Sequence, residues 1–207
     1  MKLKEFEGSI PWMYRDTVGK VTVGVGLMLP DAAAASALPF TFLGSSASAT
    51  AIAEDYARVA AMVEGQAASC YRSSNSPCLP QTVIDTNLTA ILESFDTRLR
   101  TALHGYEDFP GPVKLALLDM AYNLGPAALL GGYPRMLAAV EEGHWALAAS
   151  ECMRHGPGAL RNAWTRDQFL VAVVGTIKAE ALEAGTIKAR AEKWLLRLWR
   201  RLCGFWA

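Results

Sequence analysis

The chain has no surplus of either charge: Lys plus Arg and Asp plus Glu both number 20. No protein-wide field gathers nucleic acid, so that class of partner is excluded. Histidine and cysteine are scarce. His104, His144 and His155 are scattered, and Cys70, Cys78, Cys152 and Cys203 follow no zinc-ligand spacing. No metal site is therefore expected, and no organic cofactor is implied. Long apolar runs are also missing. The best candidate, LMLPDAAAASALPFTFL, holds an Asp and two prolines and falls short of the roughly 20 apolar residues a membrane span needs. The opening MKLKEFEGSIPWMYRD has no apolar core of the kind an export leader carries. Synthesis in the cytoplasm without a signal peptide is the expectation.

What is abundant is core material. Hydrophobic residues make up 52% of the 207 and charged ones 19%, a profile of a folded chain rather than a disordered one. Charge is uneven along it. Residues 186–207 hold six basic groups and one acidic, net +5, which leaves −5 for residues 1–185.

Periodicity divides the chain. Residues 2–7 read as a short helix stopped by Gly8 and Pro11. From Met13 to Gly26 the period falls to two, with a hairpin turn at Val18 and Gly19. Val21, Val23 and Val25 then share one face, and Thr22, Gly24 and Gly26 the other. Residues 50–64 read as a helix. They lead to CYRSSNSPC, where Cys70 and Cys78 either close a small disulfide loop, which would place the protein in an oxidising compartment, or remain two free thiols. Helical patterns fill the rest: residues 82–104, then FPGPVKLALLDMAYNLG, stopped at Gly125 and Pro126. Shorter helices follow near 133–142 and 145–155, and longer ones near 162–183 and 186–203. LALLDMAYNL is apolar on nearly every side and is expected to be the central buried helix, with Asp119 and Asn123 as exceptions on one face. GTIKA at 175–179 recurs at 185–189, a small duplication that lengthens a helix. The expected fold class is α+β, predominantly helical, with a small N-terminal β-hairpin lobe, a larger helical lobe and a cleft between them.

The segment EGSIPWMYRDTVGKVTVGVG, residues 7–26, carries the chemistry. Glu7 ends the first helix, Asp16 enters the hairpin and Thr22 lies on its second strand. Glycosidic hydrolysis needs one carboxyl protonated, to donate to the leaving oxygen, and one ionised, to activate water or steady the cationic sugar. A hydroxyl beside the second can hold the water. Glycines at 24 and 26 would leave a flat backbone where a sugar chain lies close, bordered by Tyr14.

The full string, Glu-Gly, Tyr-x-Asp and Thr-x-Gly-x-Gly in E-x8-D-x5-T register, resembles the phage-type lysozymes, a family of muramidases. The resemblance covers residues 1–30 and about 85–170. LALLDMAYNLG is similar to the family's central helix, YPRMLAAVEEGHWALAA to the helices after it, and RNAWTRDQF to its closing helix. It implies one lysozyme-like domain over 1–207: catalytic helix and hairpin at 1–30, a variable insertion at 31–84, the helical lobe at 85–183 and a basic amphipathic helix at 184–207. It makes Glu7 the general acid, Asp16 the partner carboxylate and Thr22 the water-positioning residue, with Tyr122, Asn123 and Arg166 lining or bracing the cleft. The implied activity is that of a peptidoglycan hydrolase, a monomeric bacteriolytic glycosidase cutting the β-1,4 bond between N-acetylmuramic acid and N-acetylglucosamine. Inversion is implied, with the carboxyls roughly 6.5–9.5 Å apart. The chain departs from the family at Leu27, where many relatives carry a His in a structural ion pair, and at Asn162-Ala163, where the closing helix often has Asn-Arg.

The 31–84 segment resembles a bacterial branch of the family, some of whose members are secreted antibacterial toxins. That branch implies action in the bacterial periplasm or cell wall, and partners in a secretion machinery and an immunity protein. Two other readings stand beside the enzyme: a catalytically silent peptidoglycan-binding module, and a membrane-active protein working through its tail. In KWLLRLWRRLCGFWA one face gathers Trp194, Leu195, Leu198, Trp199 and Leu202, and the other Lys193, Arg197, Arg200 and Arg201. Such a helix either docks on the core or meets an anionic surface, lipid or wall polymer.

Overall fold

The first helix, α1 (Lys2–Glu7), stops at Gly8, whose φ of +75° turns the chain left-handed. In the computed structural model the backbone is described for residues 2–203 and the side chains for residues 5–186 and Lys193. The chain divides between Thr97 and Arg98 into two compact units. The first holds a three-stranded antiparallel sheet of β1 (Ile10–Arg15), β2 (Val21–Gly24) and β3 (Leu27–Met28), in that order. Tyr14 faces Thr22 and Arg15 faces Val21 across β1 and β2, and a bulge separates this register from the Ile10–Gly24 pair.

The hairpin turn falls at residues 16–20 as expected, but the second strand is shorter than its alternation suggested. Gly24 and Gly26 take φ of +69° and +76°, so the chain reverses there and Leu27 returns to pair with Val23. Val21, Val23 and Val25 are buried as the pattern required. The opposite face is not bare at Gly24, where an added Cβ would lie 3.2 Å from Ile84 Cγ2. Gly26 is exposed. Gly24→Ala therefore combines a left-handed backbone with a tight apolar contact. It should cost about 1–2 kcal/mol, read as a lower urea midpoint at unchanged slope. An unshifted midpoint would contradict the packing.

Beyond the sheet come α2 (Ala32–Ser36), capped by Asp31, the small hairpin of β4 (Thr41–Phe42) and β5 (Ser45–Ser46), and α3 (Ala49–Ala61), capped by Ser48. α3 packs on β1 and β2 and buries Ile52 and Val59. The segment read as an insertion is thus built into the first unit's core, with Phe40, Tyr71 and Leu79 fully or almost fully buried. Cys70 and Cys78 are free thiols, so no bridge closes their loop. Ser76 and Arg58 hold it instead: Ser76 Oγ accepts from Ser73 N–H at 3.0 Å and from Arg58 Nη2 at 3.1 Å, and Arg58 Nη2 also donates to the Tyr71 carbonyl at 2.7 Å.

α4 (Gln81–Ala102) begins in the first unit and ends in the second. The second unit is helical: α5 (Gly111–Leu124), α6 (Pro126–Gly132), α7 (Pro134–Glu141), α8 (Trp145–Glu151) and α9 (Ala159–Cys203). α5 carries Pro112 in its first turn and ends at Gly125, and it buries Val113, Ala116, Leu117, Met120 and Ala121. Gly125 and Pro126 do end this helix. Pro126 also starts α6, which the sequence reading missed, because proline suits a first helical turn as well as a stop. The two helices expected at 162–183 and 186–203 are one continuous α9 of 45 residues. Gly185 costs a helix about 1 kcal/mol relative to Ala, too little to break a run flanked by good helix formers. Among the described residues no single helix is long and apolar enough to cross a membrane. The aromatic and basic faces proposed for the tail lie outside the described side chains, apart from exposed Lys193.

Candidate active site

Glu7, Tyr14, Asp16, Thr22, Gly24 and Gly26 belong to the first unit, and the β1–β2 hairpin carries Tyr14, Asp16, Thr22 and Gly24. Asp16 is held by its own turn. Its Oδ1 accepts from Val18 N–H at 3.0 Å and Lys20 N–H at 2.7 Å, while its backbone N–H donates to the Lys20 carbonyl at 2.9 Å. An Asp side chain readily closes such a turn. Oδ1 is committed there, so chemistry at Asp16 falls to Oδ2.

Tyr14 sits on β1 two residues earlier, half-buried, with Thr22 as its cross-strand partner. Its phenol is pushed up from 10.0 to about 12, first by burial and then by the negative charges of Glu7 and Asp16. Both carboxylates thus act on a single hydroxyl. That phenol stays a neutral donor at any physiological pH. The unfolded chain loses this proton near pH 10 while the folded one keeps it to about 12, so Tyr14 lowers stability as pH rises through that window. A spectrophotometric titration should accordingly show wild type and Tyr14→Phe gaining the same phenolate absorbance up to about pH 11, and separating only above it. A phenolate missing from the variant near pH 10 would contradict the placement.

Thr22 is 3% exposed, and its hydroxyl donates to the Lys20 carbonyl at 3.3 Å. The proton points back into the hairpin, so a water held by Thr22 would have to donate to Oγ1. Glu7 is half-buried at the end of α1, immediately before the reversal at Gly8.

Tyr122, Asn123 and Arg166 belong to the second unit. Tyr122 is half-buried on α5 and Asn123 is exposed. Arg166 is exposed on α9 and pairs with its neighbour, donating to Asp167 Oδ1 from Nε at 3.0 Å and Nη2 at 2.7 Å. Asp119 and Asn123 stand four apart on α5 but differ in surroundings, Asn123 being exposed and Asp119 only 1% exposed. Its Oδ1 accepts from Arg161 Nε at 2.9 Å, and its Oδ2 from Arg154 Nη2 at 2.8 Å and the Thr165 hydroxyl at 2.9 Å. Asn162 bonds both the N–H and the carbonyl of Arg154. The bracing role given to the closing helix is therefore carried by Arg154, Arg161, Asn162 and Thr165. The signal was present: a lone Asp inside an apolar helix demands a buried cation, and Arg161 and Thr165 stand four apart on one face of α9. Among the described residues no group of three or more His, Cys, Asp and Glu is placed to hold a metal ion.

Set beside models of protein families, curated proteins and solved structures, the chain finds no match in any of the three.

Proposed function

We propose that the protein is a muramidase of the phage-type lysozyme kind, hydrolysing the β-1,4 bond between N-acetylmuramic acid and N-acetylglucosamine in peptidoglycan. The observation that carries the reading is that the negative charges of Glu7 and Asp16 both act on one half-buried phenol, Tyr14, whose cross-strand partner is Thr22. Two carboxylates with a neutral hydrogen-bond donor in their common field form the toolkit for cleaving a glycoside. In this mechanism Glu7 donates its proton to the leaving oxygen. Asp16 Oδ2, with Oδ1 fixed by the turn, draws the proton from an attacking water whose other hydrogen is held by Thr22 Oγ1. Tyr14 stays neutral in the field of both carboxylates and adds no charge of its own. Inversion at the anomeric carbon follows if water, not Asp16, is the nucleophile.

The same reading places the protein at a bacterial wall, as a lytic enzyme or an antibacterial effector, with peptidoglycan as its partner. Incubation of the purified protein with isolated peptidoglycan tests it: new reducing ends at muramic acid are expected. Wall that stays intact at micromolar protein, while hen-type lysozyme digests it, would defeat the reading.

A further inference from the structure

An open groove of about 720 Å³ lies between the β4–β5 hairpin, the first turns of α3 and the 73–77 loop. It shares no lining residue with Glu7, Tyr14, Asp16 or Thr22. Its walls are rich in small neutral hydrogen-bonding groups: Ser45, Ser46 and Ser48 on one side, Ser73, Ser74 and Asn75 on the other. Phe42 and Pro77 add an apolar strip.

At this groove stands an incompletely satisfied carboxylate. Asp55 is 7% exposed, and its Oδ1 accepts from Arg58 Nε at 2.9 Å, Arg58 Nη2 at 2.7 Å and the Ser76 hydroxyl at 3.3 Å. Its Oδ2 is buried without a hydrogen-bond partner. Arg and carboxylate commonly pair fork to fork, one nitrogen per oxygen. Here both nitrogens crowd one oxygen, and the other is left needing a donor, a costly state for a buried acceptor. Arg58 balances Asp55, which leaves Glu54 as the uncompensated charge among the lining residues, so an anion is disfavoured. Hydroxyls and an amide both give and accept hydrogen bonds. They suit a ligand with many neutral polar groups and a C–H face for Phe42 and Pro77, which describes a saccharide.

We propose that this groove is a second carbohydrate site, which holds N-acetylhexosamine units of a glycan strand and offers Asp55 Oδ2 to a sugar O–H or amide N–H. Because Oδ2 is covered, the sugar displaces part of the groove wall as it enters. The choice of sugar rests on the muramidase reading; the neutral, hydroxyl-lined chemistry does not. Such a site would keep the polymer tethered between cleavage events.

The test is amide NMR on the full-length protein carrying Glu7→Gln, titrated with a β-1,4-linked hexamer of N-acetylglucosamine. Saturable shifts are expected at residues 42–48 and 73–77. Ser74→Trp, which fills the groove from an exposed position, should weaken them roughly tenfold or more and leave shifts at residues 7–24 in place. If Ser74→Trp does not fold, Ser45→Trp fills the groove from the hairpin side. Shifts confined to residues 7–24, groove shifts that survive both tryptophans, or no shifts at all overturn the proposal. Groove shifts without any at residues 7–24 support it and count against the muramidase site instead.

Discussion

Glu7→Gln is expected to lower the release of reducing ends from isolated peptidoglycan by roughly 10²–10⁴-fold while leaving the unfolding curve where it was. Gln keeps the shape of Glu and can still hydrogen-bond, but it holds no proton acidic enough to give to a departing sugar oxygen. The effect should appear in kcat, with KM little changed, because the lost interaction exists only in the transition state. Position favours a clean result. Glu7 is half-buried at the end of a six-residue helix, and Gln matches it in shape, so its replacement removes an acidic proton rather than volume. Asp16→Asn is a less clean probe. Its Oδ1 holds the hairpin turn through Val18 and Lys20, and an amide can present its oxygen there only by turning its nitrogen toward the water. Equal activity in wild type and Glu7→Gln would end the assignment of Glu7 as the acid, and with it the proposed mechanism.

The largest stability effect is expected at Asp119. Asp119→Ala leaves the guanidinium groups of Arg154 and Arg161, at 0% and 8% side-chain exposure, without the carboxylate that answers both. Breaking a buried pair by deleting one partner costs about 3–5 kcal/mol. Urea denaturation of the full chain should show the loss in the transition of the second unit. Asp167→Ala supplies the contrast. It removes the exposed Arg166–Asp167 pair, both members about half exposed, and should change stability by no more than about 0.5 kcal/mol. If the two substitutions destabilise equally, Asp119 is not the anchor of α5 against α9.

Local rules carried much of the fold. Pro112 and Gly125 bracket α5 in the sequence as they do in space, because proline and glycine act through their own backbone restrictions and need no neighbours. The 16–20 turn was legible for the same reason: Asp16 and Gly19 are turn residues by their own geometry, and Gly19 has φ of +77°. Elsewhere, neighbours overruled the local signal. The alternation from Val21 to Gly26 promised an open glycine face, but Ile84 covers Gly24 from sixty residues away in sequence. The pattern reads as two helices, at 162–183 and 186–203, yet α9 runs unbroken through Gly185.

The candidate site divides along the same line. By itself the sequence determined which chemical groups stand at Glu7, Tyr14, Asp16 and Thr22 and the short hairpin that carries three of them, since turn and strand preferences act within a few residues. Only tertiary structure decided that one tyrosine lies in the field of both carboxylates, that Asp119 is claimed by Arg154 and Arg161, and that the cysteine loop is closed by Ser76 and Arg58. Burial, and the charges that burial brings face to face, depend on segments far apart in the chain, and no local pattern encodes that distance.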